Sequence, residues 1–535
     1  MEQHEYIMKK YWIPEMKQRE LDKKKDDIQI ELNNDASLEE EVEVSNGNDE
    51  GNDDDNMDDS EMGSDDGDEI VSENEWSNPC KKDVHDNRCV LKQMKYWVPG
   101  ITQIDSTPED TGKYVTFLRD CGGFNNIRQG FEFHVMVAWI TKRTLVLPPD
   151  TPWYLIDFGH ITRGKYHKNE ILGHTEWKQY RIKGVSNFDI FFSIDDMRKA
   201  VNVITTQEFI EREKNRLNIP KKFHKPAKLS KFRDEYIDWL TNKAKELHTN
   251  LPWGQLKNVL MWPSIKDVES SKNPRIDGMF IDNRKKCEYT SELQSALFIH
   301  FPACKFRNPS TDGDYRYLGQ IARSIAFSDD KMDRKYKQIL RDHVHLNDNV
   351  MEYASKVVSI LGAYSYVSLH IRRNDLQYKY VWCSGDTSYN NIKPLIYDNE
   401  IIYISTDETN NEFFDVFKDN GKHKVYRWHD FFGKNAIFEE TKNIKIPSKL
   451  HGEVEMAITA MSRIFFGTKE STFSSYIGRL RGYFNAPNTQ TLYHHYQCTS
   501  NIDESSKIAK SNPGKPYAGQ IYKIPFPDLW EDIKD

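Results

Sequence analysis

The chain reads as an α/β protein made of two doubly wound, Rossmann-like halves facing one cleft, and three observations predict it. An apolar run, a helical pattern and a second apolar run follow one another between residues 114 and 149, the strand–helix–strand unit of a parallel sheet. Apolar runs alternate with helical patterns again from Leu346 to about residue 483, which predicts a second such half. The segment between Glu31 and Glu75 holds 20 Asp or Glu and no Lys or Arg, so it cannot bury enough apolar surface to offset its chain entropy.

Each element has its own warrant. Tyr114-Val115-Thr116-Phe117-Leu118 is a buried strand, Cys121-Gly122-Gly123 its exit turn, and Ile127, Phe131, Val135 and Ala138 one helix face. Thr144-Leu145-Val146-Leu147 is a second strand stopped by Pro148 and Pro149. Residues 150–345 mix aromatics, charges and short helical patterns, with an exposed Lys/Glu-rich stretch from about Glu208 to Glu246. Asn347 or Asp348 then caps a helix carrying Val350, Ala354, Val357, Val358 and Leu361, ended by Gly362. Strand Tyr364–Ile371, strand Ile401–Ser405, a helix with Phe413, Phe414 and Phe417, strand Lys424–Trp428, helix Lys449–Met461, strand Ile464–Gly467 and a helix from Phe473 complete the pattern. The domain boundaries expected are a disordered acidic tail over 1–95 and order from Tyr96. An amino-terminal half over 96–345, a carboxy-terminal half over 346–500 and an extension over 501–535 that packs back follow.

Composition narrows the partners. Without the tail acids the formal charge of −9 becomes +11, so the folded part is mildly basic. No run of about 18 apolar residues occurs, which excludes a membrane-spanning helix by length, and Met1-Glu2-Gln3-His4-Glu5 lacks the apolar core of a signal peptide. The seven cysteines form no CxxC pair, which argues against a structural zinc and a dense disulfide framework while leaving a few bridges open. No unblocked Asn-x-Ser/Thr sequon occurs. These signs point to the cytoplasm for the chain as given, or to the lumen of the ER or Golgi for a processed form, with no nucleic-acid partner and no metal. His494-His495-Tyr496-Gln497-Cys498 fits no standard metal spacing.

Three stretches carry chemistry. His370-Ile371-Arg372-Arg373-Asn374-Asp375 leaves an apolar strand, which sets fixed positive charge at a sheet's carboxyl edge, where open α/β folds bind ligands. A surface ion-pair cluster is the plainer alternative for that hexapeptide alone. Gly122-Gly123-Phe124-Asn125-Asn126 opens the first helix, its glycines letting backbone approach a ligand; as a plain turn it needs none. Ser471-Thr472-Phe473-Ser474-Ser475 opens the last helix, where free N–H groups and hydroxyls form an anion site or an ordinary cap.

These stretches, with Arg143–Pro149, Ser405-Thr406-Asp407-Glu408 and Tyr476–Gly482, resemble the GDP-fucose protein O-fucosyltransferase family, whose superfamily includes α1,6- and nodulation fucosyltransferases. The resemblance runs from about Val115 to Tyr483. It implies a GT-B glycosyltransferase that moves fucose from GDP-β-L-fucose to a protein Ser/Thr or glycan hydroxyl with inversion and without a metal. It also implies the roles. Arg372 and Asn126 are the expected catalytic residues; Gly123, Phe124, Asn125, His370, Arg373, Asp407, Ser471, Thr472, Phe473 and Ser474 are expected to hold the donor. Transfer from another GDP-sugar, or a silent nucleotide- or glycan-binding module, is the alternative. Two departures stand out. Gly122 occupies the place where some members carry a glutamate base, leaving Glu132, His134 and Asp157 as candidates. Arg463 occupies the place where relatives carry an aspartate that reads guanine.

Overall fold

The structure is a computed structural model and describes residues 77–97, 110–120, 122–153, 156–157, 185–224, 233–246, 258–271, 273, 285–301, 324–373, 383–468, 471–487, 490–494 and 521–523. All of them lie in one compact unit, Glu75–Asp535. The acidic stretch up to Glu75 and most of 501–535 fall outside the described residues.

Order begins ahead of the expected Tyr96. Helix α1 (Asn87–Met94) is capped by Asp86, and a Cys80–Cys89 disulfide closes the turn before it. The segment is tied to the later half of the chain: Asn78 Nδ2 donates to Ala363 O at 2.9 Å and Gln93 Nε2 to Phe484 O at 2.8 Å. The segment is polar and rich in charge, yet Val90 and Met94 are fully buried, and that burial decides the outcome.

The first half runs β1 (Tyr114–Phe117), α2 (Phe124–Ile140), β2 (Thr144–Val146) and β3 (Val203–Ile204), then β4 (Asn258–Trp262), β5 (Lys285–Cys287), β6 (Phe298–Phe301) and β7 (Ile325–Phe327). Strands β3-β2-β1-β6 form one parallel sheet, and β5-β4-β7 a second, smaller one that sequence reading did not resolve. Helix α2 is buried at 14 of its 17 positions, so Arg128, Glu132 and His134 along it must find partners inside the protein. The Lys/Glu-rich stretch does not lie open: Phe209, Ile210, Tyr236 and Leu240 form a separate apolar cluster under β1 and β6.

The second half follows α3 (Asp330–His343) and α4 (Asp348–Leu361), with Gly362 closing α4 at φ 86°, a backbone angle that favours glycine. Strands β8 (Val367–Ile371), β9 (Ile401–Thr406), β10 (Lys424–Tyr426), β11 (Ile464–Gly467), β12 (Thr491–His494) and β13 (Ile521–Lys523) pair in the order β10-β9-β8-β11-β12-β13. All pairs are parallel except β12–β13. Helices α5 (His451–Ala460) and α6 (Thr472–Tyr483) flank β11. The winding reverses between β8 and β11, and such a switch point opens a crevice at the strands' carboxyl ends. Both expected parallel sheets are therefore present.

Candidate active site

The residues just beyond β8 and β11 meet in that crevice. Thr468, the first residue past β11, is the joint: its Oγ1 donates to His370 O at 2.7 Å and accepts from Arg372 N at 3.1 Å. Its own N–H donates to Ser474 Oγ at 2.9 Å. A single threonine thus fixes the backbone of the basic loop to the start of α6. No pattern in the sequence marks Thr468, because one Thr after a strand is ordinary.

The loop after β9 fixes the arginines. Asp407 accepts from the Arg372 guanidinium through Oδ2 and from Arg373 N through Oδ1, the latter at 2.7 Å. Arg373 is held differently: Nε lies 2.8 Å from Glu408 Oε2, Nη1 donates to Cys383 O, and its guanidinium sits 4.6 Å over the Phe413 ring. Arg372 and Arg373 remain about one-fifth exposed, so both charges reach the cleft from a fixed frame. Asp375 lies outside the described residues.

His370 closes the inner wall. Its imidazole is buried, stacks on Phe473 with centroids 4.5 Å apart, and places Nδ1 2.7 Å from Ser474 Oγ. Burial, reinforced by the nearby Arg372 charge, pushes its pKa down to about 3, so it is neutral in ordinary buffers. Ser471 caps α6 with no side-chain bond to that helix, and the first-turn N–H groups face the same crevice as the basic loop.

Across the cleft, Gly123 caps α2 without a side chain, and Asn126 N and Ile127 N both turn back to Gly123 O at 2.9 and 3.1 Å. Asn125 Oδ1 and Asn126 Oδ1 are enclosed and accept no hydrogen bond from the described residues. Phe124 instead turns inward onto Phe191 and Trp153. The structure therefore assembles His370, Arg372, Arg373, Asp407, Phe473 and Ser474 by direct contact, with Ser471 and Thr472 at the adjoining helix start and Gly123, Asn125 and Asn126 at the other helix start.

The three candidate bases are occupied elsewhere. Glu132 accepts from Arg479 Nη1 at 2.9 Å, from Tyr476 Oη at 3.0 Å and from Arg128 Nε at 3.0 Å. Burial alone would raise its carboxyl, but Arg479 and Arg128 outweigh that and hold it below the usual range. His134 lies among Phe117, Phe133 and Phe301, and burial followed by His300 drives its pKa well down. Asp157 is fully buried, accepting from Trp153 N at 2.8 Å with Lys449 Nζ 2.8 Å away. All three build the interior.

Arg463 lies away from the crevice. It precedes β11, at the amino edge of the sheet, where it pairs with Glu400 and covers the Tyr397 ring. Thr468 lies five positions further on, a span of about 16 Å along a strand. The carboxylate on the site's side is Glu455 of α5: Tyr403 Oη donates to it at 3.3 Å, and it also bonds Ser405 beside Asp407. Part of Glu455 stays accessible, yet burial, with Asp407 adding to it, raises its pKa to about 8. Sequence reasoning passed over it as a helix-face carboxylate.

Among the described residues no cluster of three His, Cys, Asp or Glu is arranged to hold a metal ion, and no helix is long and apolar enough to cross a membrane. No curated protein sequence matches the chain. Solved structures similar to it include POFUT1 in complex with GDP-fucose, at 13% identity and TM-score 0.33, covering 70% of this chain and 96% of that one. The NodZ α-1,6-fucosyltransferase soaked with GDP-fucose gives 12% and 0.34, covering 77% and 98%. The fucosyltransferase NodZ from Bradyrhizobium gives 13% and 0.31, covering 68% and 92%. Residues 114–484, more than half of the chain and bracketing the crevice residues described above, match the GDP-fucose protein O-fucosyltransferase family, so the chain belongs to that family and is a glycosyltransferase.

Proposed function

We propose that the protein transfers fucose from GDP-β-L-fucose to an acceptor hydroxyl, on a protein Ser/Thr or a glycan, with inversion and without a metal. The observation that carries the reading is Arg372 held at the sheet's switch point by Asp407 and Thr468. As the sugar departs, negative charge grows on the β-phosphate, and a cation preorganised at that point stabilises the transition state more than the ground state. Arg373 and the α6 amino end supply further positive potential to the diphosphate. Glu455, when ionised, is a bidentate acceptor for the two adjacent N–H donors of a guanine edge, which supports a GDP rather than a UDP donor. At the start of α2, the enclosed Oδ1 of Asn126, which has no partner among the described residues, is the acceptor we assign to the incoming hydroxyl.

The Cys80–Cys89 disulfide, with Cys383 also disulfide-bonded, supports an oxidising compartment, against the cytoplasmic expectation. Thermal shift of the full chain with GDP, UDP and ADP tests the donor. GDP at a hundredfold its Kd should add about 2.7 kcal/mol of stability, accompanied by slow hydrolysis of GDP-fucose. Stabilisation by UDP but not GDP refutes the reading, and GDP stabilisation with no turnover of GDP-fucose makes the protein a silent binder.

A further inference from the structure

Ser474 sits on the motif expected to grip the donor, yet it is 0% exposed, and both sides of its hydroxyl are engaged within the protein. Its Oγ accepts from Thr468 N at 2.9 Å and lies 2.7 Å from His370 Nδ1. The fit is tight on every side: a Cβ on Gly467 would come within 2.9 Å of Ser474 Cβ and 3.0 Å of its Oγ. A serine built in this closely, with no surface of its own, acts on its neighbours.

The hydroxyl has one proton, and among the described residues the His370 imidazole is the acceptor it meets. Because the Thr468 N–H already fills an acceptor position on Oγ, the remaining bond to the imidazole is satisfied in the ordinary way when Oγ–H donates to Nδ1. The ring is then protonated at Nε2, which bonds to no described residue and is the ring nitrogen left to meet a ligand. Phe473 covers one face of the ring and Thr468 Oγ1 holds its carbonyl, so neither rotation nor a flip is free. We infer that Ser474 is a positioning residue that locks His370 as the neutral Nε2–H tautomer, converting the histidine into a fixed hydrogen-bond donor aimed at the anionic part of the bound nucleotide.

The depressed pKa of His370, about 3, agrees with this, since a cationic ring would need acceptors on both nitrogens. Arg372 thereby remains the charged contact and His370 a neutral one. The inference rests on the donor reading for what His370 meets, but the tautomer itself is a property of the unliganded protein.

The experiment is nitrogen NMR of the histidine rings in the full chain without ligand, with His370 assigned by loss of its signal in His370→Gln. A pyridine-like Nδ1 and pyrrole-like Nε2 at pH 7, unchanged down to pH 5, are expected. In Ser474→Ala the preference should weaken, and kcat/KM for GDP-fucose should fall about tenfold, the size of one hydrogen bond. Because Ser474→Ala removes a buried group, a second pair of variants stands beside it. His370→Gln, whose amide N–H falls near the Nε2 position, should retain far more activity than His370→Asn, whose amide falls near Nδ1. A pyrrole-like Nδ1 in the wild type, or His370→Asn outperforming His370→Gln, overturns the inference. If the tautomer is as stated while GDP fails to stabilise the protein, the donor reading falls and the Ser474 assignment stands.

Discussion

Replacing Glu132 by Gln separates a structural carboxylate from a catalytic one. Glu132 is 1% exposed and stands between two guanidiniums that are themselves 1–2% exposed, Arg128 and Arg479. The cluster is already one positive charge in excess, moderated by the Tyr476 ring at 4.2 and 4.3 Å from the two guanidinium carbons. Removing the carboxylate charge leaves two buried cations facing each other, and breaking a buried pair in this way costs about 3–5 kcal/mol. Native stabilities are about 5–15 kcal/mol, so the loss is severe but survivable in the cold. At roughly 2 °C per kcal/mol for a body of this size, the melting temperature should drop by about 6–10 °C. Urea unfolding followed by tryptophan fluorescence measures the same loss at 25 °C. Glu453 sharpens the test: it is 2% exposed, burial pushes its carboxyl up to about 8 against the pull of Arg128, and Oε2 has no partner among the described residues. Once Glu132 is gone, ionised Glu453 can take over Arg128, so Glu132→Gln/Glu453→Gln should lose more than the sum of the single changes. A Glu132→Gln protein within about 0.5 kcal/mol of wild type but with turnover down a thousandfold would overturn the structural assignment and restore Glu132 as the base.

Arg372→Ala should lower kcat by about a hundred- to a thousandfold, as removal of an oxyanion-hole donor does, and Arg372→Lys should not rescue it because the two-pronged contact is lost. A coupled assay of GDP release decides, and turnover within twofold of wild type would refute the role. Glu455 predicts the pH dependence of donor binding. With its carboxyl raised to about 8 in the free protein and the ionised form favoured by guanine N–H donors, GDP affinity should climb as pH rises from 6 and level off near 8. Glu455→Gln should flatten that profile in calorimetric titrations, and an unchanged slope would count against it. The Cys80–Cys89 bridge, with a sequence separation of 9, should contribute about 2–3 kcal/mol by restricting the unfolded chain. Cys80→Ser/Cys89→Ser should show that loss in urea, and equal midpoints for the two proteins would refute it.

Strands β1, β2, β8, β9 and β11 were legible because a strand buried on both faces is a continuous apolar run, whereas β3 to β7, β12 and β13 were not. Val367–Ile371 and Ile464–Gly467 read plainly on that ground. The basic loop was legible because charge directly after such a run has few structural uses. What escaped notice shares a cause: the meaning of the residue depends on a partner far away in sequence. Thr468 matters only because residues 370 and 372, nearly a hundred positions earlier, lie beside it. Glu455 looks like any helix carboxylate until β9 brings Ser405 and Asp407 next to it. Arg463 misled in the other direction, since a residue one strand-length from the site belongs to the opposite edge of the sheet, and sequence order does not measure that distance. Helix α1 escaped because its two buried side chains, Val90 and Met94, are too few to make a periodicity.

The pairing of Arg372 with Asp407 at first sight weakens a site meant for a diphosphate, because the aspartate offsets part of the charge on offer. The alternative is worse. Two adjacent arginines with no anchor would repel each other and turn toward water, and ordering them on binding would consume the attraction they gain. Asp407 divides its oxygens, one to the Arg372 side chain and one to the Arg373 backbone, so it fixes the position of one charge without occupying the other. Glu408 and the Phe413 ring hold Arg373 separately. His370, neutral and locked from behind by Ser474, then adds a donor without adding a third repelling charge. With the proposed GDP-sugar bound, such a cleft would give up some ground-state attraction for the leaving phosphate and keep its donors where that phosphate becomes most negative, the distribution that raises kcat rather than merely tightening the hold on substrate.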